Sequence, residues 1–468
     1  MMRGKPQEFY LMFQRYYDAG LAQASYLLAC ARTRQAVVID PRRDIDVYVA
    51  AARQHRLNIV AAIETHVHAD FVSGARELAE LDAQVVVGPG AALHYPAYEA
   101  HHEEHLPFGD LSLTFLHTPG HTPEHISIVA RQPGEPARVF TGDTLFVGAV
   151  GRPDLLGASL TRGLAEDLYQ SLFHVLLALD DAVEVHPGHG AGSLCGSGIG
   201  AEPHSTVARE RISNPMLQYR SRDAFVAAVL GDLPETPEYF KRMKRVNQEG
   251  PSLLHLGEGY AGVRPVQPTA AFTALGQGAA LIDLRSAEAF STEHPAGAVN
   301  MGFGASVGYW GGWVLSPDAP VVLVGASAPE ADEVGRQLLR VGLDHVDGFV
   351  DGGIDAWRAA GLPLTRILQV SASELHERIT RGEAITIVDV RTPNEWARDH
   401  IDGSIHVPVG EIPGRAGDLR RDRLLVTICE GGYRSSLAAS LLVRAGVAAV
   451  ANVSGGMAAY RAVALARS

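Results

Sequence analysis

Apolar and polar positions alternate along this chain in blocks that predict strands followed by helices. Runs such as Ala36-Val37-Val38-Ile39-Asp40 and Val85-Val86-Val87 read as strands. Stretches such as Ile45 to His55 and Leu160 to Leu179 carry helical spacing. This alternation predicts one α/β unit over residues 1 to about 255. The charged segment Glu235 to Glu249 then leads into Gly- and Pro-punctuated sequence near Glu258 to Pro268, where the boundary is expected.

Beyond that boundary the pattern repeats. Leu281-Ile282-Asp283-Leu284-Arg285 returns 106 residues later as Ile387-Val388-Asp389-Val390-Arg391. Pro295 to Asn300 returns as Ile401 to His406, and Gly352 to Arg358 as Gly455 to Arg461. The period is too long for a solenoid unit and predicts two tandem copies of a small α/β domain.

Composition changes this picture little. At 468 residues the length suits about three domains. A chain with 46% apolar and 20% charged residues can bury a sizeable core. A net charge of −13 without any Lys/Arg-rich block argues against nucleic acid or an anionic membrane as partner. No apolar run approaches the roughly 18 residues of a spanning helix, and Met1 to Tyr10 lacks a signal-like apolar core. Cys30, Cys195 and Cys429 have no paired spacing, which suits a reducing cytoplasm.

Candidate chemistry gathers at the ends of apolar runs. Thr65-His66-Val67-His68-Ala69-Asp70-Phe71 offers two imidazoles and a carboxylate, and Thr118-Pro119-Gly120-His121-Thr122 offers an imidazole from a tight turn. Thr141-Gly142-Asp143-Thr144 puts a carboxylate at a strand end, and His186-Pro187-Gly188-His189-Gly190 adds two imidazoles. Four such segments in order predict a metal site. In the last domain the strand-like Leu424 to Ile428 delivers Cys429 into Glu430-Gly431-Gly432-Tyr433-Arg434-Ser435. Backbone N–H groups, a helix N-terminus and Arg434 all favour anionic sulfur there. The middle copy has Gly325 in place of the cysteine and Glu330 in place of the arginine.

These residues resemble two families. The D-x-R strand ends, the E-[FW]-x5-I-x-G-[AS] segment and the C-x5-R loop make 262–366 and 367–468 similar to tandem rhodanese domains, the first without its cysteine. Residues 1–255 resemble the persulfide dioxygenase branch of the metallo-β-lactamase superfamily. The marks are T-H-V-H-A-D, the P-G-H-T turn, T-G-D, Gly151-Arg152 with Asp154, and Ser205-Thr206-Val207 to Asn214-Pro215. The fold class this implies is α/β: a metallo-β-lactamase αββα sandwich followed by two rhodanese-like α/β domains.

In the superfamily signature H-x-H-x-D-H the first imidazoles face one metal, and the Asp and final His hold a second. Here Phe71 stands where the last histidine belongs and has no lone pair to donate. The resemblance therefore implies one Fe(II) per chain, held by His66, His121 and Asp143, with zinc possible as purified. A 2-His-1-carboxylate face leaves positions open for substrates. His68 becomes a hydrogen-bonding neighbour, or a fourth ligand for zinc, while Asp70 and His189 orient ligands or water. Arg152 and Arg434 are the expected substrate-binding residues and Cys429 the catalytic thiol.

The function so implied is oxidation of a small-thiol persulfide with O₂ to thiol and sulfite, coupled to rhodanese sulfur transfer to or from thiosulfate, as in sulfide detoxification. A zinc thioester hydrolase of the glyoxalase II kind and a non-catalytic sulfane-sulfur carrier or sensor are the alternatives. A homo-oligomer, dimer or tetramer, is expected. Glutathione-using relatives place a Tyr after the late histidine and an Arg after the Asn-Pro, where this chain has Gly190-Ala191-Gly192 and Met216. Coenzyme A persulfide, another small persulfide or a polysulfide is equally open as substrate. Cys195 is either a sulfur acceptor or an incidental thiol, and Cys30 a packed small hydrophobe. His101, His102 and His105 read as the solvated face of a helical stretch, and His55 and His174 as ordinary helix-face residues. Trp310 and Trp313 cover the middle pocket or fill a core.

Overall fold

The computed structural model describes residues 11–231, 233 and 236–467. Met1 to Tyr10 and Glu235 lie outside them. The chain divides at Tyr260/Ala261 into two compact units.

The first unit is built on two six-stranded sheets. One runs in sequence order through Leu11–Asp18, Gln23–Cys30, Gln35–Ile39, Asn58–Ile63, Gln84–Val87 and Tyr98–Glu99. The other is ordered Ser205–Thr206, Glu184–Pro187, Arg138–Gly142, Ile126–Arg131, Leu111–His117, Glu104–Phe108. Tyr26, Leu28, Val37 and Ile63 from the first meet Phe115, Ile126, Ile128 and Phe140 from the second in a dry core. The second sheet's other face packs Val129, Val139 and Val185 against Leu168, Leu172 and Phe225 of the covering helices. This is the αββα sandwich, with the ends of both sheets free to carry loops.

Two local expectations change. The stretch 160–179 is not one helix: Ala158–Gln170 is α-helical, Ser171–Val175 forms a π turn and Leu176–Ala178 a 3₁₀ turn. The helix is pressed on the Pro119-Gly120 turn, where a Cβ on Gly120 would lie 2.5 Å from Leu168 Cα. The Ser171 hydroxyl donates to the Pro119 carbonyl at 2.6 Å. A widened turn at such a contact is a familiar helical response. His101, His102 and His105 are not helical either. They are exposed around the start of strand Glu104–Phe108, whose half-buried Leu106 and Phe108 alternate with exposed His105 and Pro107.

The second unit holds the two copies. Each has a five-stranded parallel sheet in the same order: Pro265–Val266, Val346–Val350, Val321–Val324, Ala280–Asp283, Val299–Asn300, then Leu368–Val370, Val450–Val453, Leu424–Ile428, Ile385–Asp389, Ile405–His406. Parallel strands bring their C-terminal ends to one edge, so Gly325 and Cys429 occupy corresponding loops. Trp313 lies on the second copy: a Cβ on Gly410 would fall 2.0 Å from its ring. Among the described residues no helix is long and apolar enough to cross a membrane.

Candidate metal and thiol centres

Asp40, at the end of strand Gln35–Ile39, begins the first site. Its carboxylate accepts the Thr65 N–H at 2.7 Å and the Thr65 hydroxyl at 2.9 Å. With its proton committed, Thr65 Oγ1 accepts from His66 Nδ1 at 2.9 Å. That assigns the tautomer and leaves His66 Nε2 a bare lone pair. His121 is fixed in the same way, its Nδ1–H donating to the Arg152 carbonyl at 2.9 Å. Asp143 follows strand Arg138–Gly142, with Oδ1 held by His189 Nδ1 at 2.8 Å.

The free atoms converge. Asp143 Oδ2 is 3.9 Å from His66 Nε2 and 3.6 Å from His121 Nε2. All three residues are at most 2% exposed, and neither His66 Nε2 nor Asp143 Oδ2 has a hydrogen-bond partner. Burial, reinforced by neighbouring imidazoles, holds His66 well below its ordinary pKa, and burial also lowers His121. Burial alone would raise Asp143, but His189 overrides it and holds the carboxyl below the usual range. Neutral imidazoles beside a carboxylate, with lone pairs and no donors, are a cation site. The donor set fits the expected metal.

The surrounding residues take definite places. His68 turns Nε2 to Asp40 at 3.1 Å and Glu64 at 3.0 Å, and its Nδ1 is buried without a partner. Although burial opposes it, these carboxylates raise His68 well above its ordinary value. His189 bridges Asp143 and Asp70, its Nε2 lying 2.8 Å from Asp70 Oδ2. Cys195 comes to the same corner, its sulfur within 4.8 Å of ligand atoms of Asp70 and His189. Burial outweighs the pull of His189 and pushes the Cys195 thiol up to about 12, so it is a neutral S–H. Phe71 is fully buried against His68, ring centroids 4.3 Å apart.

The Arg152 guanidinium is engaged within the protein, with Asp154 at 2.8 and 2.7 Å, the Leu194 carbonyl at 3.0 Å and Thr236 Oγ1 at 2.7 Å. Its place in the site is that of a strut whose carbonyl aims His121. His186 points elsewhere, to Glu184 at 3.2 Å and a stack with Phe140 and His204. Exposed Tyr17 places its hydroxyl at the Gly190 turn, where a Cβ would lie 2.9 Å from it. The Arg15 guanidinium sits 4.4 Å above the Tyr17 ring.

Besides Asp40, His125 and Asn247 escape the sequence motifs. His125 accepts the Asp143 N–H at 3.0 Å and stacks on His66 at 5.1 Å. Its one sequence signal is a place four residues after His121. Asn247, from helix Glu238–Glu249, donates to the carbonyls of His68 and Phe71 at 2.9 and 2.8 Å and accepts from Ser73 N–H at 2.9 Å. It pins the whole loop, and nothing in its own surroundings in the chain signals this.

The second centre surrounds Cys429. Gly432 N–H donates to its sulfur at 3.1 Å, and Ser435 Oγ lies 3.3 Å away. The loop carbonyls face the other way: Met457 N–H takes that of Cys429 at 2.8 Å and Ala458 N–H that of Glu430 at 3.1 Å. A Cβ on Gly456 would strike the Cys429 carbonyl at 2.2 Å, so only glycine lets this helix approach. Arg434 is paired through both nitrogens with Glu395 at 2.6 and 2.7 Å. Burial would raise Glu395, yet Arg434 and the Thr392 N–H bring it down to about 2.

In the cysteine-less copy three residues, not four, separate strand Val321–Val324 from helix Ala328–Arg340; the last copy has 429–432 between Leu424–Ile428 and Tyr433–Arg444. Glu330 closes a capping box on Ser327, and a Cβ on Gly325 would lie 2.5 Å from Arg285 Cγ. No cradle is left.

Comparisons with known proteins bear out the fold. Residues 19–189 match the metallo-beta-lactamase superfamily, and 270–360 and 371–463 each match the rhodanese-like domain. A hydroxyacylglutathione hydrolase of Tolumonas auensis is 38% identical over 172 residues, 36% of this chain and 62% of its own length. The chain thus spans 62% of the length of the curated relatives it matches first. The solved structure of a metallo-beta-lactamase from Staphylococcus aureus subsp. aureus COL is 32% identical and covers 72% of this chain and 98% of its own, with a TM-score of 0.64. That of ETHE1 from Myxococcus xanthus is 31% identical over 51% of this chain and 98% of its own, with a TM-score of 0.44.

Proposed function

We propose, for a chain that belongs to the metallo-beta-lactamase superfamily and carries two rhodanese-like domains behind that fold, that it oxidises a small-thiol persulfide and moves sulfane sulfur. The reaction is R–S–SH + O₂ + H₂O giving R–SH, sulfite and two protons. One observation carries the reading. Ligand atoms of His66, His121 and Asp143 lie buried within 4.8 Å of one another, His66 Nε2 and Asp143 Oδ2 without any hydrogen-bond partner, while Phe71 fills the place of a further ligand. Iron held by these residues would supply the redox chemistry that joins O₂ to sulfur.

The chain's own groups do the rest. Asp40 through Thr65, and the Arg152 carbonyl, keep both imidazoles aimed, and burial keeps them neutral. His189 ties up the second oxygen of Asp143, and Phe71 keeps water from His68. The persulfide's carrier is assigned to the side of the glycine-rich turn after His189, where the Tyr17 hydroxyl lies against Gly190. At Cys429 the Gly432 N–H stabilises anionic sulfur as persulfide is loaded and released. Sulfite from the first reaction is a chemically competent acceptor for that sulfur, giving thiosulfate.

The 38% identity to a hydroxyacylglutathione hydrolase supports a second reading, thioester hydrolysis with zinc. Anaerobically purified, iron-loaded protein given a persulfide decides between them. Oxygen uptake with sulfite formed in equal amount supports the dioxygenase; thioester cleavage without oxygen uptake would replace it.

A further inference from the structure

A cavity of about 420 Å³ opens at the seam between the two rhodanese-like copies. Gly431 and Gly432, from the loop that cradles Cys429, form part of its lining. Ser286, Glu288, Asn300 and Phe303 of the cysteine-less copy form another. The seam is fixed, because Asn300 grips the helix that continues from the loop. Its Oδ1 accepts the Ser436 hydroxyl at 2.6 Å, and its N–H donates to Ser440 Oγ at 3.1 Å. All three residues are buried, so this register is held away from water.

The volume suits a small organic molecule and exceeds what an inorganic anion needs. Charge points the same way. Glu288 is the one charged residue in the lining, and among the described residues no ion pair engages its carboxylate. The loop's own cation, Arg434, is spent on Glu395. Arg391 and Arg461 are likewise paired, with Asp389, Asp399 and Glu430. Anionic sulfur at Cys429 is served by the loop's own N–H groups, but an anionic substituent carried into the cavity meets Glu288 and no side-chain counter-ion, whereas an ammonium group meets Glu288 as a partner. Phe303, 48% exposed, offers an aromatic face to a short carbon chain or to the cation itself.

We propose that this cavity is the subsite for the thiol that exchanges sulfane sulfur with Cys429, and that it selects small aminothiols over anionic thiols. The proposal rests on Cys429 being the sulfur-transfer centre. The thiolate R–S⁻ attacks the outer sulfur of the Cys429 persulfide and forms the new S–S bond. The bond between Cys429 Sγ and that sulfur breaks, and Sγ leaves with the electron pair as thiolate. The proton stays on the outer sulfur, giving R–S–SH, with no net oxidation. The cysteine-less copy, on this account, is kept for the wall it builds.

The test uses full-length protein with persulfide loaded on Cys429 from thiosulfate. Cysteamine and 3-mercaptopropionate, equal in chain length and opposite in charge, serve as acceptors. The ratio of their kcat/KM values should fall about tenfold in Glu288→Gln and invert in Glu288→Lys. Phe303→Ala should raise KM for cysteamine more than it lowers kcat. Alkylation of unloaded Cys429 by neutral iodoacetamide, at the wild-type rate in each variant, shows that the loop is intact. An unchanged acceptor ratio in a variant with an intact loop overturns the subsite. Sulfur transfer that survives Cys429→Ser would instead overturn the centre on which it rests.

Discussion

The metal corner of the first domain and the thiol loop of the last are both buried, yet they are electrostatic opposites. Where His66, His121 and Asp143 converge the three side chains present lone pairs, and the N–H groups of His66 and His121 are turned outward onto Thr65 and the Arg152 carbonyl. Around Cys429 the carbonyls are turned outward onto the next helix and an N–H points at sulfur. The first arrangement leaves buried acceptors unmet at about 1–3 kcal/mol each, a cost that a bound cation removes. The second is satisfied as it stands and favours negative charge. One centre is incomplete without a ligand; the other is complete and waits for a reactant.

The strongest way to break this contrast is to remove the group each centre depends on. Asp143→Ala should lose the metal and reduce persulfide-dependent oxygen uptake by more than the roughly 10–100-fold that outer partners cost. Metal content and an oxygen electrode read both. Retained iron with retained uptake would mean that the three lone pairs are not the site. Cys429→Ser should abolish thiosulfate formation and leave oxygen uptake within about twofold, since the centres are built separately. Uptake falling to the metal-free level would show that they are coupled. Adding Gly325→Cys to that background should restore nothing, because the middle loop is one residue short and capped by Glu330.

A finer cut keeps all three ligands and frees one imidazole. Thr65→Val removes the hydroxyl that fixes His66 Nδ1, and metal affinity should fall about 10–100-fold with the fold intact. A chelator competition measures it, and an unchanged affinity would show that Asp40 does not act through Thr65. The smallest effect concerns the carrier. Glutathione persulfide should show little advantage over smaller persulfides, because Gly190-Ala191-Gly192 and Met216 offer neither hydroxyl nor guanidinium. A preference above tenfold, about 1.4 kcal/mol, that disappears in Tyr17→Phe would show that Tyr17 has taken over the grip.

How far the sequence spoke for these centres depended on the kind of contact. The strand before Asp40 and the helix to His55 were legible because periodicity reports which faces are buried. His66, His121, Asp143 and Cys429 were legible because each sits at a strand end in a local motif. The break after Gln170 was not, since it answers to the Pro119-Gly120 turn some 50 residues earlier. Asn247 is 176 residues from Phe71, whose carbonyl it holds, and Cys195 joins Asp70 only through folding. The Arg152 and Arg434 side chains were expected to meet substrate, and sequence could not show the carboxylates already paired with them. Charge in a motif reveals a group's chemistry, while its partner is a property of the fold.

A single iron at His66, His121 and Asp143 can be seen by anomalous scattering at the iron edge on anaerobically loaded crystals, with elemental analysis of the same protein. One iron per chain is expected, with one anomalous peak among those three residues and no second iron between Asp70, His189 and Cys195. Two fully occupied irons roughly 3.5 Å apart, or a peak that avoids Asp143, would contradict it.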